Sequence, residues 1–225
     1  MFSVLILAAG SSSRMGGGNK QLALLAGEPV LRRSVQAFLG LPEAAEVVVV
    51  CRPQDEAAYS AALAGLTGYR LLPVGGQTRQ QSVAGALPYL SPETRYLAIH
   101  DGARPLVRRA DILAVFHAAQ ETGSALLGVF ARDTIKIVQD GRVASTPARS
   151  SLFIAQTPQA FKKSDYLAAM AEAKAQGLDF TDDAQLFELT GRPVTVVEGR
   201  PDNLKITTPE DLQLAEGSLA GQEVF

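Results

Sequence analysis

The sequence predicts an α/β fold: a mostly parallel sheet with helices on both faces and a protruding β-arm. Three observations predict it. Up to Arg132, short apolar, β-branched runs alternate with longer stretches of helical period. Glycine-rich or charged turns follow several of these runs, where a parallel sheet would gather its strand ends on one edge. Beyond Arg132 the rhythm changes to that of a hairpin.

The apolar runs at 4–7, 46–51, 69–73, 96–100 and 125–129 are expected strands. Between them, segments 30–39, 55–66, 80–90 and 110–121 place apolar residues at helical spacing. Right-handed crossovers give this order a Rossmann-like layering and put any ligand at the strand C-termini. In DTIKIVQDGRV, alternating residues flank Asp140-Gly141, a two-residue hairpin signal. The following STPARSSLFIAQTPQAF holds two Thr-Pro pairs and no helical period. Residues 133–150 therefore read as a β-arm, since so short a piece cannot bury a core as a separate domain. An exposed hairpin packs on something, and a second subunit is the natural candidate, so a homodimer through the arm is expected. Segments 163–176 and 182–190 read as helices, 194–198 as a strand, and 209–217 as a last helix with Thr208 as its N-cap. Residues 1–225 are expected to form one domain carrying this arm.

With 225 residues, 47% of them hydrophobic, the chain has ample material for a core. A net charge of −2 and a pI near 5.7 argue against a nucleic-acid partner, because no basic excess exists to neutralise a run of phosphates. They leave room for a local basic pocket. Cys51, the only cysteine, excludes an intramolecular disulfide and a cysteine-rich zinc site; at the end of VVVVC it reads as a buried small hydrophobe. The opening FSVLILAAG is too short for a membrane span and lacks a basic flank before it, so no membrane partner and a cytoplasmic location are expected.

Chemistry is concentrated at the turns. LILAAGSSSRMGGGNKQL, residues 5–22, contains neither Gly-Lys-Ser/Thr nor a complete dinucleotide fingerprint. Ala8, Ala9 and Gly10 are small enough for a flat group to lie on their backbone, and Arg14 and Lys20 flank a glycine run. Two cations around such a turn suit a triphosphate; an ordinary βα turn with solvated charges is the alternative. In IHDGARPLV, Asp101 stands where a doubly wound sheet presents ligands, able to hold magnesium or to serve as an N-cap or an Asp–Arg pair. His100 beside it reads as a core histidine. In VGGQTRQQSV, Arg79 and Ser82 are placed to reach a base or a phosphate, while Thr78 is a candidate N-cap. In VEGRPDNLKITTPEDL, Asp202, Asn203 and Lys205 cluster between a strand and a capped helix.

The set LAAG…SRMG…NKQ, HDGARP, RDTIK, QTPQ and EGRPDNLKITTPEDL resembles the methylerythritol-phosphate cytidylyltransferases of the non-mevalonate isoprenoid pathway, over essentially the whole chain. The resemblance implies transfer of a cytidylyl group from CTP to a sugar-alcohol phosphate, with Mg2+ and release of pyrophosphate. It places Arg14 and Lys20 at the pentacoordinate transition state, and Ala8, Ala9, Gly10, Gly76 and Ser82 on the cytidine and triphosphate. It places Asp101 and Arg104 near the alcohol phosphate, with Asp101 also beside the metal, and Thr157 and Thr181 in the substrate pocket. Arg149 and Lys205 match the pair that positions the substrate phosphate, with Thr134 and Arg149 reaching a neighbouring subunit's site along the arm.

Three departures stand out. Asn19 replaces the family's usual proline before the loop lysine, Gln77 replaces a common acidic residue, and Gly16–Gly18 is unusually glycine-rich. The alternatives on the same scaffold are a ribitol-5-phosphate cytidylyltransferase and an inactive nucleotide-binding regulator. The HDGARP stretch favours methylerythritol phosphate, and the intact Arg14, Lys20, Asp101 and Lys205 argue for an enzyme.

Overall fold

The first apolar run becomes β1 (Phe2–Leu7), and its residues are almost all buried because it lies inside the sheet. Successive side chains of a strand point to opposite faces. Phe2, Val4 and Ile6 accordingly join one core cluster and Leu5 the other. The computed structural model describes residues 1–12, 15 and 18–220.

After β1 come a small antiparallel pair, β2 (Leu24–Leu25) and β3 (Glu28–Pro29), then α1 (Val30–Gln36), β4 (Ala44–Val50), α2 (Glu56–Ala62), β5 (Arg70–Leu72) and α3 (Arg79–Ala86). The central part adds β6 (Tyr96–Asp101), α4 (Arg109–Thr122) and β7 (Ser124–Phe130). The arm holds β8 (Ile137–Gln139) and β9 (Arg142–Ser145); then follow β10 (Phe153–Lys162), α5 (Lys163–Gln176), α6 (Asp183–Leu189), β11 (Thr195–Glu198) and α7 (Pro209–Ala220). One seven-stranded sheet runs β11-β7-β10-β6-β1-β4-β5, and only β10 is antiparallel to its neighbours. Helices α1, α2 and α4 cover one face through Leu31, Val35, Tyr59, Leu63 and Phe116. Helices α3, α5 and α6 cover the other through Val83, Ala86, Tyr166, Ala169 and Phe187. The mostly parallel sheet with helices on both faces is as the sequence predicts.

In the central sheet, strand β10 is the one missed by sequence reasoning. The Thr157-Pro158 pair disguises it, because proline is excluded from regular central strands. The structure accommodates Pro158 in a bulge: Ala155 pairs with Gly128 and Gln159 with Leu126, so residues 156–158 oppose Leu127 alone. A bulge re-aims side chains, and this one delivers Gln156 and Thr157 to the cleft described below.

The arm follows its sequence signal closely. Gln139 pairs with Arg142 across Asp140 (φ 49°) and Gly141 (φ 73°), the double left-handed conformation of a tight hairpin turn. Its strands are exposed throughout, with Ile137, Val138 and Val143 each presenting about half of their surface or more to solvent. Thr208 caps α7 by accepting from the Asp211 N–H (3.4 Å). Among the described residues no helix is long and apolar enough to cross a membrane.

Candidate active site

A cleft of about 360 Å³ opens at the C-terminal edge of the parallel strands, and all four chemistry-bearing turns reach it. The turn after β1 contributes Ala9, Gly10, Lys20 and Gln21; the turn before α3 contributes Gly76, Gln77 and Thr78. The end of β6 brings Asp101 and Arg104, the β10 bulge brings Gln156, Thr157 and Gln159, and Lys205 closes the rim beside Thr181 and Asp182.

Small residues let the first two turns approach. A Cβ added to Gly75 would stand 2.5 Å from the Ala9 Cβ and 2.7 Å from the Cys51 carbonyl oxygen, so only glycine fits there without moving backbone. Overpacking of this kind typically costs about 1–3 kcal/mol. Gly75→Ala is therefore expected to lower stability by about that amount, read by chemical denaturation. Next to it, Thr78 and Gln81 form a capping box on α3, as its N-cap signal predicts. Ser82 Oγ accepts from the Gly76 N–H (3.1 Å) and donates to the Thr78 carbonyl (2.9 Å), so its hydroxyl shapes the turn.

The loop after β1 is tied down at its far end. Asn19 Nδ2 donates to the Tyr59 hydroxyl (3.0 Å), which in turn lies 3.1 Å from the Ala8 carbonyl as its donor. Asn19 Oδ1 also accepts from the Gln21 N–H (3.0 Å). Where the resemblance leads one to expect a proline, this chain fixes the turn by side-chain hydrogen bonds. Lys20 follows directly, its ammonium 3.8 Å from where a Gly10 Cβ would be. Arg14, expected beside it, lies outside the described residues.

Asp101 is the electrostatic centre. Its carboxylate meets Arg79 Nη1 at 2.6 Å, Lys205 Nζ at 2.9 Å and Arg104 Nε at 3.6 Å. Burial alone would raise its pKa, but Arg79, then Lys205 and Arg104, outweigh that and hold it well below the usual carboxylate range. Asp101 forms the Asp–Arg ion pair that was one of its readings, with Arg79 as its closest partner. Arg79, which the sequence placed to reach a base or phosphate, lines the cleft and is divided between Asp101 and Asp183.

His100 is a core histidine, fully buried against Phe38. Its Nε2 lies 3.1 Å from the Arg104 carbonyl, which can only accept, so Nε2 carries the proton. Nδ1 is then the acceptor for the Thr157 hydroxyl (3.0 Å), whose oxygen accepts the Asp101 N–H (3.0 Å). Thr157 lines the cleft, but its proton is already used. Burial pushes the His100 pKa down to about 3, so the ring stays neutral in the folded protein over a range where the unfolded chain binds a proton. A group depressed in this way contributes stability above its unfolded value of about 6.5, and that stability is lost as pH falls towards 3. Stability should therefore fall by on the order of 1 kcal/mol per pH unit below 6.5, with a clearly shallower slope in His100→Asn, measured by denaturation at several pH values. Cys51 is likewise buried and inert, with burial pushing its thiol up to about 11.

Several expected residues stand apart from the cleft. Ala8 is buried behind it, its N–H bonded to the Val50 carbonyl and its carbonyl to Tyr59, so the strand end itself consumes both groups. Thr134 and Arg149 lie on the arm side; Arg149 donates to the Arg132 carbonyl (3.0 Å) and lines a separate shallow hollow with Phe130 and Ala131. Asn203 is buried and braces the β10 bulge, donating to Gln156 Oε1 (3.0 Å) and the Thr157 carbonyl (3.1 Å). Asp182, Gln21 and Gln159 line the cleft without having been singled out, although Gln159 lies in the quoted QTPQ stretch.

A magnesium ion takes oxygen ligands and is commonly bound through one or two carboxylates plus substrate phosphates. Asp101 and Asp182 are the carboxylates lining this cleft, and the described residues contain no cluster of acidic, His or Cys side chains able to hold a metal ion on their own. The residues thus fit a cation that arrives with phosphate oxygens, and at Asp101 it would compete with three positive side chains.

A doubly wound sheet that gathers glycine-rich turns, a loop lysine and a cationic cluster at its strand ends defines an α/β nucleotidyltransferase. The model of the 2-C-methyl-D-erythritol 4-phosphate cytidylyltransferase family matches residues 2–220, and the chain belongs to that family. It is 39% identical over 226 aligned positions to the Bacillus licheniformis protein of that name, covering 99% of this chain and 97% of the relative. The Pelotomaculum thermopropionicum protein of the same name is 40% identical, with 98% and 95% covered. Among solved structures, the 4-diphosphocytidyl-2C-methyl-D-erythritol synthase of Anaerococcus prevotii superposes with a TM-score of 0.87 at 32% identity, over 98% of both chains.

Proposed function

We propose that this protein joins CTP and 2-C-methyl-D-erythritol 4-phosphate, giving the CDP-alcohol and pyrophosphate in isoprenoid precursor biosynthesis. The observation that carries the reading is the convergence in one cleft of Lys20 with the cluster that Arg79, Arg104 and Lys205 form around Asp101. A phosphate oxygen of the alcohol attacks the α-phosphorus of CTP; the new P–O bond forms as the α–β bridging bond breaks, and pyrophosphate leaves. The nucleophile is already ionised, so alignment and charge neutralisation are required more than proton transfer. This suits a cleft whose one neighbouring histidine is buried and neutral.

In this reading Lys20, with Arg14, stabilises charge at the α-phosphate, and Ala9, Gly10, Gly76 and the turn braced by Ser82 receive the cytidine and triphosphate. Lys205, Arg104 and Asp101 face the alcohol phosphate, with Thr157 and Thr181 on the cleft wall. Magnesium arriving with CTP would neutralise phosphate charge, and Asp101 and Asp182 are the cleft carboxylates that would hold it. The exposed arm, with Ile137, Val138 and Val143 open, supports a homodimer in which Thr134 and Arg149 complete a neighbour's cleft. A fully active monomer in sedimentation would remove that part of the proposal.

Pyrophosphate release with magnesium, four nucleoside triphosphates and either methylerythritol phosphate or ribitol phosphate tests the whole assignment. CTP with methylerythritol phosphate is expected to be the clear optimum. Preference for ribitol phosphate would change the substrate, and no release from any pair would overturn the enzyme reading.

A further inference from the structure

Behind the cleft wall stand Asp183 and Tyr166, polar groups to which the chemistry above gives no task. Asp183, the first residue of α6, is fully buried. Its Oδ2 lies 2.8 Å from Arg79 Nε and 2.7 Å from Arg79 Nη2, while Oδ1 accepts the Tyr166 hydroxyl at 2.7 Å. Arg79 then turns Nη1 to Asp101 Oδ1 at 2.6 Å. Tyr166 from α5, Asp183 from α6, Arg79 from α3 and Asp101 from β6 thus form one connected line into the cleft.

The partners of Asp101 are held very differently. Arg79 is anchored by a fully buried carboxylate: its Nε donates to Asp183 Oδ2 at 2.8 Å, and Nη2 lies 2.7 Å from the same oxygen. Lys205 reaches Asp101 from the rim with a side chain 40% exposed, and the Arg104 Nε contact is long at 3.6 Å. An incoming phosphate therefore draws Lys205 away more readily than Arg79, and Arg104, already tied at Nη1 to the Asn203 carbonyl (2.7 Å), loses little by releasing Asp101. If Arg79 were loose it would follow them, leaving Asp101 facing an anion alone.

We propose that Asp183, braced by Tyr166, is a positioning residue that locks Arg79 onto Asp101 and so frees Lys205 and Arg104 for the phosphate of the acceptor substrate. The inference rests on the proposed cytidylyl transfer for its kinetic consequence, but its structural part does not. Asp183→Asn keeps the shape and removes the charge that grips Arg79. In a crystal structure of this variant Arg79 should leave Asp101; an Arg79 still seated there would overturn the proposal whatever the enzyme acts on.

In the pyrophosphate assay, Asp183→Asn should lower kcat/KM for methylerythritol phosphate at least tenfold while changing the KM for CTP less than threefold. Combining it with Arg79→Gln should cost no more than the worse of the two single changes, because both act through one guanidinium. Equal losses toward both substrates, or effects that multiply, would contradict the lock. Should Asp183→Asn not fold, Tyr166→Phe removes only the bracing hydroxyl. It is expected to give a three- to tenfold loss in the same parameter, and an unchanged value would contradict the proposal. An inactive wild-type protein would instead count against the cytidylyl-transfer reading, leaving the crystal structure to decide the lock.

Discussion

Replacing Lys20 by alanine is expected to reduce turnover by about 100-fold or more, a loss of at least ~2.7 kcal/mol of transition-state stabilisation, the scale seen when one preorganised donor to developing charge is removed. The ammonium lies over the Gly10 backbone at the mouth of the cleft, where the α-phosphate of CTP is proposed to sit. Charge at that phosphorus grows only as the two anions combine, so the effect should fall on kcat more than on the KM for CTP. Steady-state kinetics on the folded variant separates the two. Unchanged turnover would take Lys20 out of the mechanism, and a change confined to KM would make it a binding residue only. A companion change, Asn19→Ala, removes the tether to Tyr59 while leaving the lysine in place, so it should lower the same parameter less.

Asp101→Asn is expected to be the most damaging change to stability in the site. Its carboxylate is the common partner of Arg79, Arg104 and Lys205, and breaking a buried ion pair from one side typically costs about 3–5 kcal/mol. The pH dependence is specific. The folded pKa of Asp101 lies below its unfolded value, so its contribution is complete above about pH 4 and is lost as acid protonates the folded carboxylate. The gap in stability between the protein and Asp101→Asn should be widest near neutrality and shrink below about pH 4. Denaturant titrations of both proteins from pH 7 to pH 3 measure it. A gap that does not vary with pH would mean that the carboxylate's charge is not what holds the cluster. Activity should fall in parallel, because Arg79, Arg104 and Lys205 lose the anion that holds the cationic cluster together.

The parallel strands and the helices between them were legible because burial on both faces writes continuous apolar runs, and the hairpin because Asp140-Gly141 supplies the two left-handed residues it needs. Strand β10 was not, because a proline inside a strand is tolerated only where the pairing breaks, and the break is a property of the partner strand's register. In the site, the turn residues could be read from their chemistry, since glycines, a lysine and an aspartate at strand ends have few other reasons to cluster. Which cation would serve which anion could not. Arg79 sits 22 residues from Asp101 and 104 from Asp183, so their union depends on how α3 and α6 stack on β6. Thr157 illustrates the same limit: its hydroxyl faces the cleft wall, but His100 and the Asp101 backbone had already taken its hydrogen-bonding capacity. The arm is the opposite case, with a clear local signal whose purpose lies outside the single chain.

Isotope transfer tests the central claim most directly. Methylerythritol phosphate labelled with 18O at its terminal phosphate oxygens is incubated with CTP, magnesium and the protein, and the products are resolved by 31P NMR. Attack by the acceptor's phosphate on the α-phosphorus predicts that all of the label stays in the CDP-alcohol, part of it in the new bridge, with none in pyrophosphate. Label in pyrophosphate, or consumption of CTP without a labelled CDP-alcohol, would contradict it.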